Sequence, residues 1–136
     1  MSSYYIAASY ARMPEVRSLA EKLTAQFTET EIVSVWHLYD TPDVSSEQMN
    51  EDPSAGALFA YQDLRSCNFA DVFIMFTGDS QSRGGRHVEF GYWVTLRKSQ
   101  DRTVIIGPRE NVFHCLDNIE VYPDIETFLT QEHLRA

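Results

Sequence analysis

The sequence predicts an α/β fold, a parallel sheet of about five strands with helices on both faces. Three observations lead there. Short apolar runs alternate with longer segments whose apolar residues recur at helical spacing. One run, Asp71-Val72-Phe73-Ile74-Met75-Phe76, is almost continuously apolar, as a strand covered on both faces must be. The chain has 136 residues, 43% hydrophobic and 23% charged, enough to bury one core and too few for two. It therefore reads as one domain, residues 1–136, a parallel-sheet sandwich of the Rossmann or flavodoxin kind.

The elements follow in order. Tyr4-Tyr5-Ile6-Ala7-Ala8, bounded by small polar residues, predicts the first strand. Pro14 suits a first helical turn, and Val16, Leu19, Ala20, Leu23 and Phe27 line one face of the helix it opens. Ile32-Val33-Ser34-Val35-Trp36 predicts the second strand. Residues 41–56 carry Pro42, Pro53, Gly56 and several Ser, Asp and Glu, which predicts a long loop. A helix follows over 57–68, with Leu58, Tyr61, Leu64 and Cys67 on one side, and then the apolar third strand. Residues 77–85 form a Gly- and Ser-bearing loop before a helix that contains Glu89-Phe90-Gly91-Tyr92-Trp93. Thr103 to Ile106 is the fourth strand, ended by Gly107-Pro108, and Ile119 to Tyr122 a short fifth. Asp124 caps the closing helix.

In such a sheet ligands bind beyond the C-terminal strand ends. The loops there are residues 9–12, 39–56, 77–85 and 107–111.

Charge and cysteine content narrow the function. The net charge of −9 disfavours nucleic acid as the main partner, since a phosphate backbone is repelled by such a surface. A small anion remains possible at a local Arg cluster. No apolar run approaches the ~20 residues of a membrane helix. The N-terminus shows no basic region followed by an apolar one. Two cysteines, Cys67 and Cys115, are too few for a disulfide scaffold and read as buried small apolar residues in a cytoplasmic protein. His37, His87, His114 and His133 are scattered, so neither a metal nor an organic cofactor is expected.

The segment 80–89, Ser80-Gln81-Ser82-Arg83-Gly84-Gly85-Arg86-His87-Val88-Glu89, carries most of the chemistry. Its glycines let a ligand approach the backbone, and the following helix offers unpaired N–H groups and a positive dipole end. It lacks the Lys-Ser/Thr ending of a Walker loop and the glycine spacing of a dinucleotide fingerprint. Glu89 has two open roles: a nucleophile or general base at the crevice, or a carboxylate that favours the helix N-terminus. Asp63 is either a second carboxylate that supplies a proton or a solvated residue paired with Arg65. Asp71 opens a strand at the far end and reads as structural, whereas Asp79 lies in the crevice loop. Trp36 and Tyr39, after the second strand, are candidates for stacking on a planar base.

Together, Tyr5-Ile6-Ala7-Ala8-Ser9, Asp63-Leu64, Gly84-Gly85-Arg86-His87-Val88-Glu89-Phe90-Gly91 and Gly107-Pro108-Arg109-Glu110-Asn111-Val112-Phe113 resemble the motifs of the nucleoside 2-deoxyribosyltransferase-like family. That family includes hydrolases of nucleoside 5′-monophosphates and short phage and bacterial members. The resemblance covers nearly the whole chain. It implies that Glu89 attacks the anomeric carbon, that Asp63 lies beside the base, and that Tyr5 positions the nucleophile. It implies that Asn111 reaches the site of a neighbouring subunit, hence a homodimer or larger oligomer.

At position 83 transferases of free nucleosides carry an aspartate for the sugar 5′-hydroxyl; here it is Arg83, which suits an anion. Ser9, Arg12 and Ser82 would complete a phosphate site, with Gly84, Gly85, Arg86 and His87 around it. The expectation is therefore cleavage of the N-glycosidic bond of a (deoxy)nucleoside 5′-monophosphate, with hydrolysis favoured over transfer. Base exchange between free nucleosides and a non-catalytic nucleotide-binding module are the alternatives.

Overall fold

The computed structural model describes residues 2–38, 44–79 and 83–136. Tyr39 and Ser82, two of the expected ligand-facing residues, lie outside them. Five strands, β1 (Ser2–Ala7), β2 (Thr30–Ile32), β3 (Val72–Phe76), β4 (Arg102–Ile106) and β5 (Ile119–Tyr122), form one sheet in the order β2-β1-β3-β4-β5. Every pairing is parallel. This is the flavodoxin-like order, and the chain reverses its direction of growth between β1 and β3.

Among the described residues there are five α-helices, α1 (Met13–Gln26), α2 (Ser46–Glu51), α3 (Pro53–Cys67), α4 (Gly85–Leu96) and α5 (Ile125–Arg135), and all but the short α2 cover the sheet. Side chains alternate across each strand, so the sheet feeds two cores. Tyr4, Ile6, Val72, Ile74, Phe76, Val104 and Ile106 pack against α1 and α5 through Val16, Leu19, Leu23, Phe128 and Leu129. Tyr5, Ala7, Phe73, Met75 and Ile105 pack against α3 and α4 through Cys67, Phe90 and Trp93. Ile74 is fully buried at the centre of the first core. Ile74→Ala is expected to cost about 2–5 kcal/mol, read as a lower urea midpoint with unchanged slope.

Three expectations are corrected. The second strand ends at Ile32 instead of continuing to Trp36. Val33 N–H makes a last bond to Tyr4 O at 2.8 Å. The Ser34 side chain then accepts from Ile6 N–H at 3.1 Å, so a side chain replaces the next backbone rung and the chain turns. The long loop is partly helical. Ser45 and Gln48 form a reciprocal capping box that opens α2, and Asp52 with Pro53 opens α3 earlier than the predicted 57. Cys115 is exposed instead of buried, because the short 3-10 turn Val112–Cys115 directs His114 inward.

No helix among the described residues is long and apolar enough to cross a membrane.

Candidate active site

The crevice lies where β1 and β3 diverge, above their C-terminal ends. A pocket of about 510 Å³ opens there between the loops after β1 and β2 and the helices α2, α3 and α4. Glu89, in the second turn of α4, and Asp63, in the third turn of α3, both line it. Gly56, Phe59, Ala60 and Asp63 recur three and four residues apart and bring one face of α3 to the pocket wall.

Tyr5, fully buried on β1, donates its hydroxyl hydrogen bond to Glu89 Oε2. Burial raises the Glu89 pKa to about 8; the Tyr5 bond opposes that shift, and the nearby Asp63 carboxylate adds to it. Burial also raises Asp63, to about 6. Tyr5 itself is pushed well above the usual phenol range, first by burial and then by the carboxylates of Glu89 and Asp63. A protonated carboxyl, an ionisable carboxylate and a hydroxyl donor thus share one enclosed space.

The remaining wall is mostly apolar: Trp36, Val44, Met49, Phe59 and Val88. Trp36 is fixed by a bond from its ring N–H to Ile6 O at 2.7 Å. Behind it, buried His37 pairs with Ser34 Oγ at 2.9 Å, and burial lowers its pKa to about 4, leaving it neutral. Such a wall suits a flat heterocycle.

Of the predicted phosphate ligands, Arg83 lines the pocket and donates to Val44 O at 2.5 Å, while Gly85 lines its floor. Gly84 adopts φ +93 as the helix N-cap, a conformation that side chains resist. The other two arginines of the expected site, Arg12 and Arg86, are engaged by protein groups. Arg12 donates to Thr77 O at 2.7 Å and pairs with Glu15 at 2.8 Å. Ser9 donates to Asp79 Oδ2 at 2.6 Å. Arg86, 3% exposed, pairs with Glu110 at 2.5 Å and lies 3.6 Å from Asp79 Oδ1. Arg86, expected around a phosphate, is thus held in a buried ion pair with Glu110, with Asp79 close by. His87 sits beside it, stacked on His114, and Asn111 caps the turn at Val112 by accepting from Phe113 N–H at 3.0 Å. Asp71 plays the structural role, accepting from Ser3 N–H at 2.9 Å.

Two groups were missed by sequence reasoning. Glu110 carries no local signal, because its partner Arg86 lies 24 residues earlier in the chain. Met49 and Val44 were hidden in the apparent loop; the Ser-x-x-Gln capping box was the available signal. Among the described residues no group of three or more His, Cys, Asp or Glu is placed to hold a metal ion.

No protein-family model and no curated protein matches the sequence. Several solved structures do match the fold. One is a 2-deoxyribosyltransferase from the psychrotolerant bacterium Bacillus psychrosaccharolyticus, at TM-score 0.63 and 15% identity over 93% of this chain and 90% of that one. Another is the CMP N-glycosidase BcmB of Clostridium botulinum, at TM-score 0.56 and 16% identity over 97% and 98%. The chain carries the fold of these two enzymes. The flavodoxin-like class read from the sequence is borne out, and the resemblance read from the motifs points to the same kind of protein.

Proposed function

We propose that this protein is an enzyme that cleaves the N-glycosidic bond of a nucleoside or nucleotide, with Glu89 as nucleophile. The observation that carries the reading is the Tyr5–Glu89 pair, with Glu89 and Asp63 lining one pocket at the strand ends. It accords with the activities named for the two structural neighbours, deoxyribosyl transfer and hydrolysis of CMP. In the forward step a Glu89 oxygen bonds to C1′ as the C1′–N bond breaks. The electron pair leaves with the base, whose nitrogen takes the proton of Asp63. Water then attacks C1′, its proton passes to Asp63, and Glu89 is released. Tyr5 holds Glu89 Oε2 so that the other oxygen, Oε1, faces the sugar. The base lies on Trp36.

Arg83 at the pocket wall supports a 5′-monophosphate as substrate and hydrolysis as the outcome. A free nucleoside is the second reading, favoured by Asp79, whose carboxylate occupies the Ser9 hydroxyl that a phosphate would use. Chromatographic detection of free base from ribo- and deoxyribonucleosides and their monophosphates, with and without acceptor base, tests both. Base from a monophosphate alone supports the lead, and product only with acceptor supports transfer. Binding without release would make the chain a nucleotide-binding module. Arg83→Gln is expected to raise KM for the monophosphate by about 10- to 100-fold, the loss of one charge-assisted contact, with little change for the nucleoside. Equal effects on both would remove the phosphate assignment.

The homodimer belongs to the same proposal. Leu58, Tyr61, Val88, Val112 and Phe113 are all more than half exposed, and a second copy would cover them. A cytoplasmic setting suits the free thiols of Cys67 and Cys115.

A further inference from the structure

We propose that Glu110 and Arg86 are positioning residues that hold the first turn of α4, and with it Glu89, at the pocket. The inference rests on the glycosidic reading above for what Glu89 does, but the geometry stands by itself. Helix α4 begins without a side-chain cap: Gly84 offers none, and no acidic residue lies in the first turn. Here the anchor is the Arg86 side chain.

Its guanidinium grips Glu110 at 2.5 and 3.3 Å and reaches Asp79 O at 3.5 Å. Glu110 in turn accepts from Gly78 N–H at 3.3 Å, and its own N–H donates to His114 Nδ1 at 2.9 Å. One carboxylate therefore ties the loop after β3, the loop after β4 and the start of α4 to a single point. Asp79 extends the tie to the loop after β1 through Ser9 at 2.6 Å. Arg86 and Glu89 are three residues apart, so a shift of the first turn moves the nucleophile directly. Burial alone would raise the Glu110 pKa, but the Arg86 bonds outweigh it and hold the carboxyl below its ordinary range, ionised as the tie requires. An uncompensated Arg86 would be costly at 3% exposure, so the pair is retained or lost as a unit.

A fold staple with no link to catalysis is the bland alternative, and the molecule contains one for comparison. At the opposite end of the sheet Arg102 grips Glu120 and Glu132 at 2.8 and 2.6 Å, away from the pocket. The experiment compares Glu110→Ala and Glu110→Gln with Glu120→Gln as control, at 25 °C and below every variant's melting midpoint. Glu110→Ala is expected to lower kcat for base release about 30- to 100-fold with KM within threefold, the cost of an ångström-scale displacement. Glu110→Gln, which keeps an acceptor for Arg86, recovers part of the loss, and Glu120→Gln lowers the midpoint with kcat unchanged.

Hydrogen exchange over residues 84–90, read on the same samples, rises in Glu110→Ala and stays at the wild-type level in the control. Wild-type kcat in Glu110→Ala, or equal kcat losses in Glu110→Ala and Glu120→Gln, would overturn the proposal. If the wild-type protein releases no base from any substrate, the glycosidic reading fails instead. Exchange then decides the positioning role, and unchanged exchange over 84–90 overturns it.

Discussion

Glu89→Gln is expected to reduce base release by about 10³-fold or more while leaving the protein folded and more stable than wild type at pH 8. The activity loss follows from chemistry: an amide oxygen cannot form the glycosyl ester. The stability gain follows from proton linkage. In the folded chain the Glu89 pKa is about 8, raised from 4.5 chiefly by burial. Below pH 4.5 the carboxyl is neutral in both states and its full contribution is present. As pH rises toward 8 the unfolded chain gives up its proton and the folded chain does not, so stability falls across that window. An amide has no such dependence. The difference at pH 8 is on the order of 4 kcal/mol in favour of the variant. Thermal unfolding from pH 5 to 9 checks it: the wild-type midpoint should fall faster than that of Glu89→Gln. Parallel curves would show that Glu89 is not held protonated, and wild-type turnover in the variant would remove it as nucleophile.

Asp63→Asn is expected to lower kcat by about 10²- to 10⁴-fold for ordinary bases, the usual worth of a positioned general acid. The two carboxyls impose an unusual pH profile. The reaction needs Glu89 ionised and Asp63 protonated, yet the pKa values are about 8 and about 6 in that order. The reactive form is therefore a minor species, on the order of 1% between those values, and kcat/KM should be bell-shaped with limbs near 6 and 8. Asparagine has no proton to lose, so the alkaline limb disappears. The remaining acid limb then reports Glu89 itself and lies above the wild-type acid limb, somewhat below 8, because burial still raises Glu89 while the neighbouring carboxylate no longer adds to it. A nucleotide of 7-methylguanine provides the control, since its base departs neutral without a proton. The Asp63→Asn deficit should shrink for it, and an equal deficit would assign Asp63 to binding alone.

The sheet was legible because apolar runs and helical periodicity carry its physics locally: Val72 to Phe76 is a short unbroken apolar run, as a strand covered on both faces must be. Glu89 and Asp63 were legible as candidates because both fall on elements that end at the crevice. What escaped was decided by contacts distant in sequence. Nothing local tells that Ser34 Oγ takes the place of a ladder bond, so the apolar pattern through Trp36 overstates the length of the second strand. Likewise, the neighbours of Arg86 in sequence suggest a phosphate loop, and only Glu110, 24 residues later, shows its charge already satisfied. Met49 reached the pocket through a short helix whose caps were visible but whose composition reads as loop.

The central position of β1 has a consequence for the order in which the chain is made. β1 lies between β2 and β3, and Tyr5 finds Glu89 only across 84 positions. A nascent chain that has emerged as far as α3 can pair β1 with the three-residue β2 and with nothing else. Its other edge, Tyr4 to Ala7, stays open until residues 72–76 arrive. Until then an apolar strand edge faces solvent, the condition under which chains pair with one another. Ribosome stalling within the stretch before β3 would thus expose an aggregation-prone intermediate. Once β3 has docked, Tyr4 to Ala7 are sealed from solvent, none of them more than 3% exposed.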